Sequence, residues 1–200
     1  GELRIETNRL IIEDGAQIQA GIFGQGQGGS IFINAEETVE VLDYREDDRP
    51  TGIFSGPEGA MATGNSGDIT LTADTVALSG PEATISNEVD GEASGNAGKV
   101  EIDSRILTVR DGSRIAGRTF GRGRGGTLVI NGTELIEVAG TDGKGSSSSL
   151  STETLGLADA GNLVVNAGDL LILNGGQVAS SSLGVEEGVG GELTINATGT

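Results

Sequence analysis

The sequence predicts an all-β fold, a right-handed parallel β-helix (β-solenoid) of about six to seven coils. Three observations lead there. A phrase of Gly, any residue, aliphatic, any residue, aliphatic recurs seven times at intervals of 28 to 38 residues. No stretch of useful length carries the 3.6-residue apolar period of a helix. Gly makes up 36 of 200 residues, yet Leu, Ile, Val and Phe together supply about a quarter of the chain, above the level at which Gly-rich acidic chains stay unfolded.

The phrases begin at Gly1, Gly29, Gly67, Gly98, Gly126, Gly161 and Gly191. The first aliphatic column is Leu3, Ile31, Ile69, Val100, Leu128, Leu163 and Leu193, and the second is Ile5, Ile33, Leu71, Ile102, Ile130, Val165 and Ile195. A spacing of two predicts a strand with one buried face. A second strand follows in each unit, at Leu10/Ile12, Val39/Val41, Val76/Leu78, Leu107/Val109, Ile136/Val138 and Leu170/Ile172. A third, short strand centres on Ile18, Ile85, Ile115 and Val178, whereas units two and five read as long loops there. No unit can bury its aliphatic face alone, so the units must stack. A β-propeller needs longer blades with aromatic signatures, which these units lack.

A coarser period lies above the coil. Residues 98–126 echo residues 1–29, and units two and five share a one-residue shift of the second strand, so three units form a super-repeat spanning 1–97 and then 98–190. The whole of 1–200 reads as one solenoid segment, starting and ending in mid-pattern as expected of part of a longer chain. The fifth position after the starting Gly holds Asn in four units, Asn34, Asn131, Asn166 and Asn196, with Thr72 and Asp103 in the third and fourth. These are expected to stack as an internal amide ladder, the alternative being solvated turn residues.

The phrases RLIIEDGAQIQAGIFGQGQGG (9–29), GGSIFINA (28–35), RILTVRDGSRIAGRTFGRGRGG (105–126) and GGELTINA (190–197) resemble the filamentous-haemagglutinin-like exoproteins, in particular the large Gly-rich ones of cyanobacteria. The resemblance runs over nearly the whole chain. It implies a right-handed β-helix secreted by the two-partner route, exposed at the cell surface outside the outer membrane, and serving in adhesion or filament and matrix assembly. The family's amino-terminal secretion domain is not recognisable in these residues. Absence of Cys is consistent with export of an unfolded chain.

Composition narrows the chemistry. With no Cys and no His, zinc fingers, disulfide frameworks, thiol nucleophiles and imidazole acid/base catalysis are excluded. A formal charge of −18 and 2% aromatics argue against nucleic-acid partners. No apolar run is long enough to span a membrane as a helix. No cofactor or metal is expected, and no catalytic residue is assigned.

The Gly-rich loops 24–29 and 121–126 lack the Lys and the following helix of a phosphate loop and read as coil corners. Unit 98–125 holds seven of the twelve bases and is locally positive between two acidic units. Its Arg118, Arg122 and Arg124 are either paired with acids on neighbouring coils or form a surface for an anionic glycan or another filament. Loop 43–50, with Tyr44, Asp47 and Asp48, is the densest charge cluster. It reads as solvated, with ion or glycan contact as the alternative. The Ser-rich stretch 143–154 also reads as a solvated loop. The expected function is therefore that of a structural surface rod, associating end to end or with surface glycans. The alternative is a carbohydrate-binding or carbohydrate-active β-helix.

Overall fold

The structure, a computed structural model, describes residues 1–22, 24–44, 49–57, 62–89, 93–120, 123–155, 159–183 and 188–199. Each coil contributes one long and one short strand. The first coil holds β1 (Glu2–Glu13) and β2 (Gln17–Gln19), the second β3 (Ser30–Leu42) and β4 (Thr51–Ser55), the third β5 (Ile69–Ser79) and β6 (Ala83–Val89). The fourth holds β7 (Lys99–Arg110) and β8 (Arg114–Thr119), the fifth β9 (Thr127–Ala139) and β10 (Ser149–Thr154), the sixth β11 (Leu163–Leu173) and β12 (Gln177–Ser182). A final strand, β13 (Leu193–Ala197), opens a seventh turn.

The long strands form one parallel sheet in the order β1-β3-β5-β7-β9-β11-β13, and the short ones a second in the order β2-β4-β6-β8-β10-β12. Every pairing between these strands is parallel and links neighbouring coils. The molecule is a parallel β-solenoid of about six turns, roughly 29 Å tall at the usual strand spacing.

The registers place the predicted columns one above another. Leu3 stacks on Ile31, then Ile69, Val100, Leu128, Leu163 and Leu193. The interior of the middle coils is closed: Ile31, Ile69, Leu71, Leu107, Ile115, Leu128 and Ile136 have no exposed surface. Apolar burial on this scale is the main stabilising term.

Two expectations about strands need correction. The first and second strands of each unit are one continuous strand. The register slips only where β3 or β9 carries one extra residue, as at Thr7/Arg9 and Ser104/Ile106, and both halves keep their cross-coil pairing. Coils two and five do have a third strand, β4 and β10. Ile53 and Leu150 complete the column Ile18, Ile53, Ile85, Ile115, Leu150, Val178. The Ser-rich stretch is thus loop only before Ser149. In β10, Ser151, Thr152 and Thr154 are buried.

Buried polar side chains close the coils. Two residues beyond the third-strand aliphatic stand Ser55, Asn87, Thr152 and Ser180. Asn87 Nδ2 donates to the Gly67 carbonyl, and its Oδ1 accepts from Gly98 N at 3.0 Å. Ser55 Oγ donates to Gly29 O at 3.0 Å, Thr152 Oγ1 to Gly161 O at 2.7 Å, and Ser180 Oγ to Gly161 O at 3.1 Å. Side-chain donors of the short strands are therefore spent on the carbonyls of the starting glycines, which ties the short strand to the start of a coil. Beyond this neck, Ala62, Val89 and Ala93 form a second, small apolar cluster in a side extension.

Candidate functional surfaces

The amide ladder runs along the outer face. Asn131 Nδ2 donates to Asp103 Oδ1 at 2.7 Å, Asn166 Nδ2 to Asn131 Oδ1 at 2.7 Å, and Asn196 Nδ2 to Asn166 Oδ1 at 2.8 Å. Strand alternation explains the side: the fifth position has opposite parity to the aliphatics at the second and fourth. The expectation of an internal ladder is thus corrected, since Asn131 and Asn166 are only half-buried and Asn196 is exposed. Asn34 stands outside it, between Glu6 and Thr72 in the sheet register. Asn166→Ala should cost about 1 kcal/mol, because it strands an acceptor on Asn131 and a donor on Asn196. Urea unfolding of the variant beside the parent chain measures it.

A second set of side-chain bonds was not anticipated from sequence. Asn65 Oδ1 accepts from Asn96 N at 2.9 Å, Asn96 Oδ1 from Arg124 N at 2.9 Å, and Asp159 Oδ1 from Val189 N at 3.0 Å. These residues all lie two before a starting Gly, and that shared offset was the available signal.

The basic coil is laced to both acidic neighbours. Arg105 holds Asp74 of the preceding coil through Nε at 2.9 Å and Nη2 at 3.1 Å, and Glu134 of the following coil through Nη1 at 2.6 Å. Arg110 meets Glu137 at 2.8 Å, Arg114 meets Glu82 at 3.8 Å, and Arg118 meets Glu153 at 3.2 Å. The Arg105 hydrogen bond holds the Asp74 carboxyl below its usual range, and the same bond, with Glu134, pushes the guanidinium up. A carboxyl depressed in the folded state contributes stability above its unfolded pKa and loses it as pH falls through the folded value. The acid limb of a pH–stability profile should therefore open below about pH 4. Arg105→Ala should flatten that limb and reduce the salt sensitivity of unfolding. An unchanged profile would show that the pair adds nothing.

The other predicted positions do not converge. The Arg118 guanidinium also lies over the Phe120 ring at 4.7 Å. Arg124 sits in the side extension with its side chain exposed, beside a cleft of about 360 Å³ that Asp159, Asn162 and Glu192 also line. Arg122, Asp47 and Asp48 lie outside the described residues. Tyr44 is 70% exposed at the rim of a cleft of about 390 Å³ that also takes in Asp43, Ser79, Asp111 and Asp142.

The carboxylates of that cleft serve the turns around them. Asp43 Oδ2 accepts from Thr51 Oγ1 at 2.9 Å, and Asp111 Oδ2 from Ser79 Oγ at 2.7 Å. Asp142 Oδ1 accepts from Ser146 N at 2.7 Å and Lys144 N at 2.8 Å, and those backbone donors, Ser146 first, lower its pKa. Among the described residues, no three acids are grouped so as to hold a metal ion, and no helix is long and apolar enough to cross a membrane. What the described surface offers chemically is fixed amides, paired charges and hydroxyls. Comparison with protein-family models, curated proteins and solved structures returns no match.

Proposed function

We propose that this segment is a structural rod of an adhesin-like exoprotein, displayed at the cell surface and used for adhesion or for filament and matrix assembly. One observation carries the reading. Six coils stack in continuous parallel register, and amides and ion pairs tie each coil to the next along the outside. Such a stack supports a long, stiff surface. The phrases that resemble filamentous-haemagglutinin-like exoproteins support the same reading and add the two-partner secretion route. Antibody against the segment should label intact source cells, and external protease should remove the label. Signal found only after lysis would overturn the surface assignment.

For the 200-residue segment taken by itself, end-to-end association is the expected behaviour. Within it β13 pairs with β11 only over Leu163–Ala167, an edge that further coils would cover in a longer chain. In the segment Ile172 on β11 and Leu193 and Ile195 on β13 are each more than 40% exposed. An apolar strand edge of this kind is a template for further pairing. The 200-residue chain should gain mass with concentration in sedimentation, and Ile172→Lys should suppress the gain. A monomer across the whole range would refute end-on assembly. For the glycan-binding alternative, the exposed Arg124 is the contact to test, with Arg124→Ser assayed on anionic polysaccharide.

A further inference from the structure

The chain contains two lysines, Lys99 and Lys144. An endoprotease that selects lysine must draw residues on both sides of it into an extended stretch before it can cut. Exposed loop tips of small and polar residues permit this, and strands paired on both sides resist it. The fold places the two lysines in opposite settings.

Lys99 opens β7, which lies between β5 and β9. Its backbone nitrogen donates to Asp68 Oδ1 at 2.8 Å. The next residue, Val100, has no exposed surface and stacks between Ile69 and Leu128. Cutting Lys99–Val100 requires coil four to give up both its pairing and a core residue.

Lys144 stands at the tip of a small hairpin between β9 and β10, with coils four and six on either side. Residues 143–146 are all exposed, and nothing lies within 4 Å of a Cβ added at Gly143 or Gly145. An antiparallel bridge of Thr141 with Ser147 closes the base of the hairpin. Asp142 closes it above that bridge. Its backbone nitrogen donates to Ser146 O at 2.8 Å, and its carbonyl accepts from Gly145 N at 3.1 Å. Its Oδ1 accepts from Lys144 N at 2.8 Å and Ser146 N at 2.7 Å. The Lys144–Gly145 bond therefore becomes accessible when a few local hydrogen bonds open, with no core residue leaving its place.

We infer that Lys144–Gly145 is a site of proteolytic modification by lysine-selective endoproteases, and that the Asp142 carboxylate is its latch. One water adds across the peptide bond: the C–N bond breaks, Lys144 keeps a carboxylate and Gly145 gains an ammonium group. The cut leaves the rod joined. β9, before the cut, pairs with β11, after it, and β8 pairs likewise with β10. Fragments 1–144 and 145–200 are thus held together through both sheets. The rod acquires two new chain ends at this corner without becoming shorter.

Digestion of the folded 200-residue chain with a lysine-specific endoprotease, followed by mass spectrometry, tests this. Cutting after Lys144 should be at least about tenfold faster than after Lys99, because the first needs only local opening. In urea sufficient to unfold the chain the two rates should approach each other, since local sequence then decides. Asp142→Ala should speed the cut after Lys144 about fivefold through loss of its side-chain hydrogen bonds, and leave the cut after Lys99 unchanged. The two fragments should co-elute in gel filtration and separate only in denaturant. Equal rates in the folded chain, faster cutting after Lys99, or a rate ratio unaffected by urea would each overturn the site. Asp142→Ala without acceleration would overturn the latch, and fragments that part in native buffer would overturn the joined rod.

Discussion

Gly64→Ala is expected to cost more than about 4 kcal/mol, or to prevent folding altogether. Gly64 has a φ of 138°, which an L side chain rarely adopts. A Cβ built there falls on the carbonyl oxygen of Gly26 in the preceding coil. The same relation repeats up the stack: a Cβ at Gly95 falls on Gly64 O, and one at Gly123 on Gly95 O. Backbone thus packs on backbone from coil to coil, and a methyl group cannot be accommodated by moving a flexible side chain. Gly143→Ala is the internal control. Nothing lies within 4 Å of its added Cβ, so the change should stay within about 0.5 kcal/mol. Circular dichroism with urea titration compares the two. A soluble Gly64→Ala chain with the parent midpoint would refute the close approach.

Ile115→Ala carries the second large effect. Ile115 is fully buried and stacks between Ile85 and Leu150. Truncating it should cost about 2–5 kcal/mol, the transfer term plus the cavity left behind. Because each coil contacts only its neighbours, damage at coil four should weaken coupling between the two halves of the rod. Hydrogen exchange should then show protection lost around coils three to five before the flanking coils. Ile172→Ala, at a position 42% exposed, should cost less than about 1 kcal/mol. Equal losses at the two sites would mean that the column is not the main source of stability.

Residues with a fixed offset from a glycine were legible in the sequence. Leu3 to Leu193 and Ile5 to Ile195 follow their Gly at the same two positions in every unit, and period two leaves one way to face them. β4 and β10 were not legible, because Ile53 and Leu150 follow a long connection from β3 or β9, whereas Ile18, Ile85, Ile115 and Val178 each follow a three-residue turn. Those strands take their register from coils above and below. The face of the amide ladder was legible in principle, since parity alone places Asn131 opposite Ile130. Pairing of Arg105 with Asp74 and Glu134 needed register across three coils, which charge counting by unit could only approximate.

The one-residue bulge of the long strand occurs in coils two and five, flanked each time by unbulged neighbours. It gives the rod a graduation coarser than its strand spacing. Gain or loss of three coils, roughly 14 Å, brings like against like at the new junction. Gain or loss of one coil sets a bulged strand beside the wrong neighbour and frays the outer ladder there. A rod of this build is expected to tolerate a change of three coils better than a change of one, as a ruler is cut at its marks.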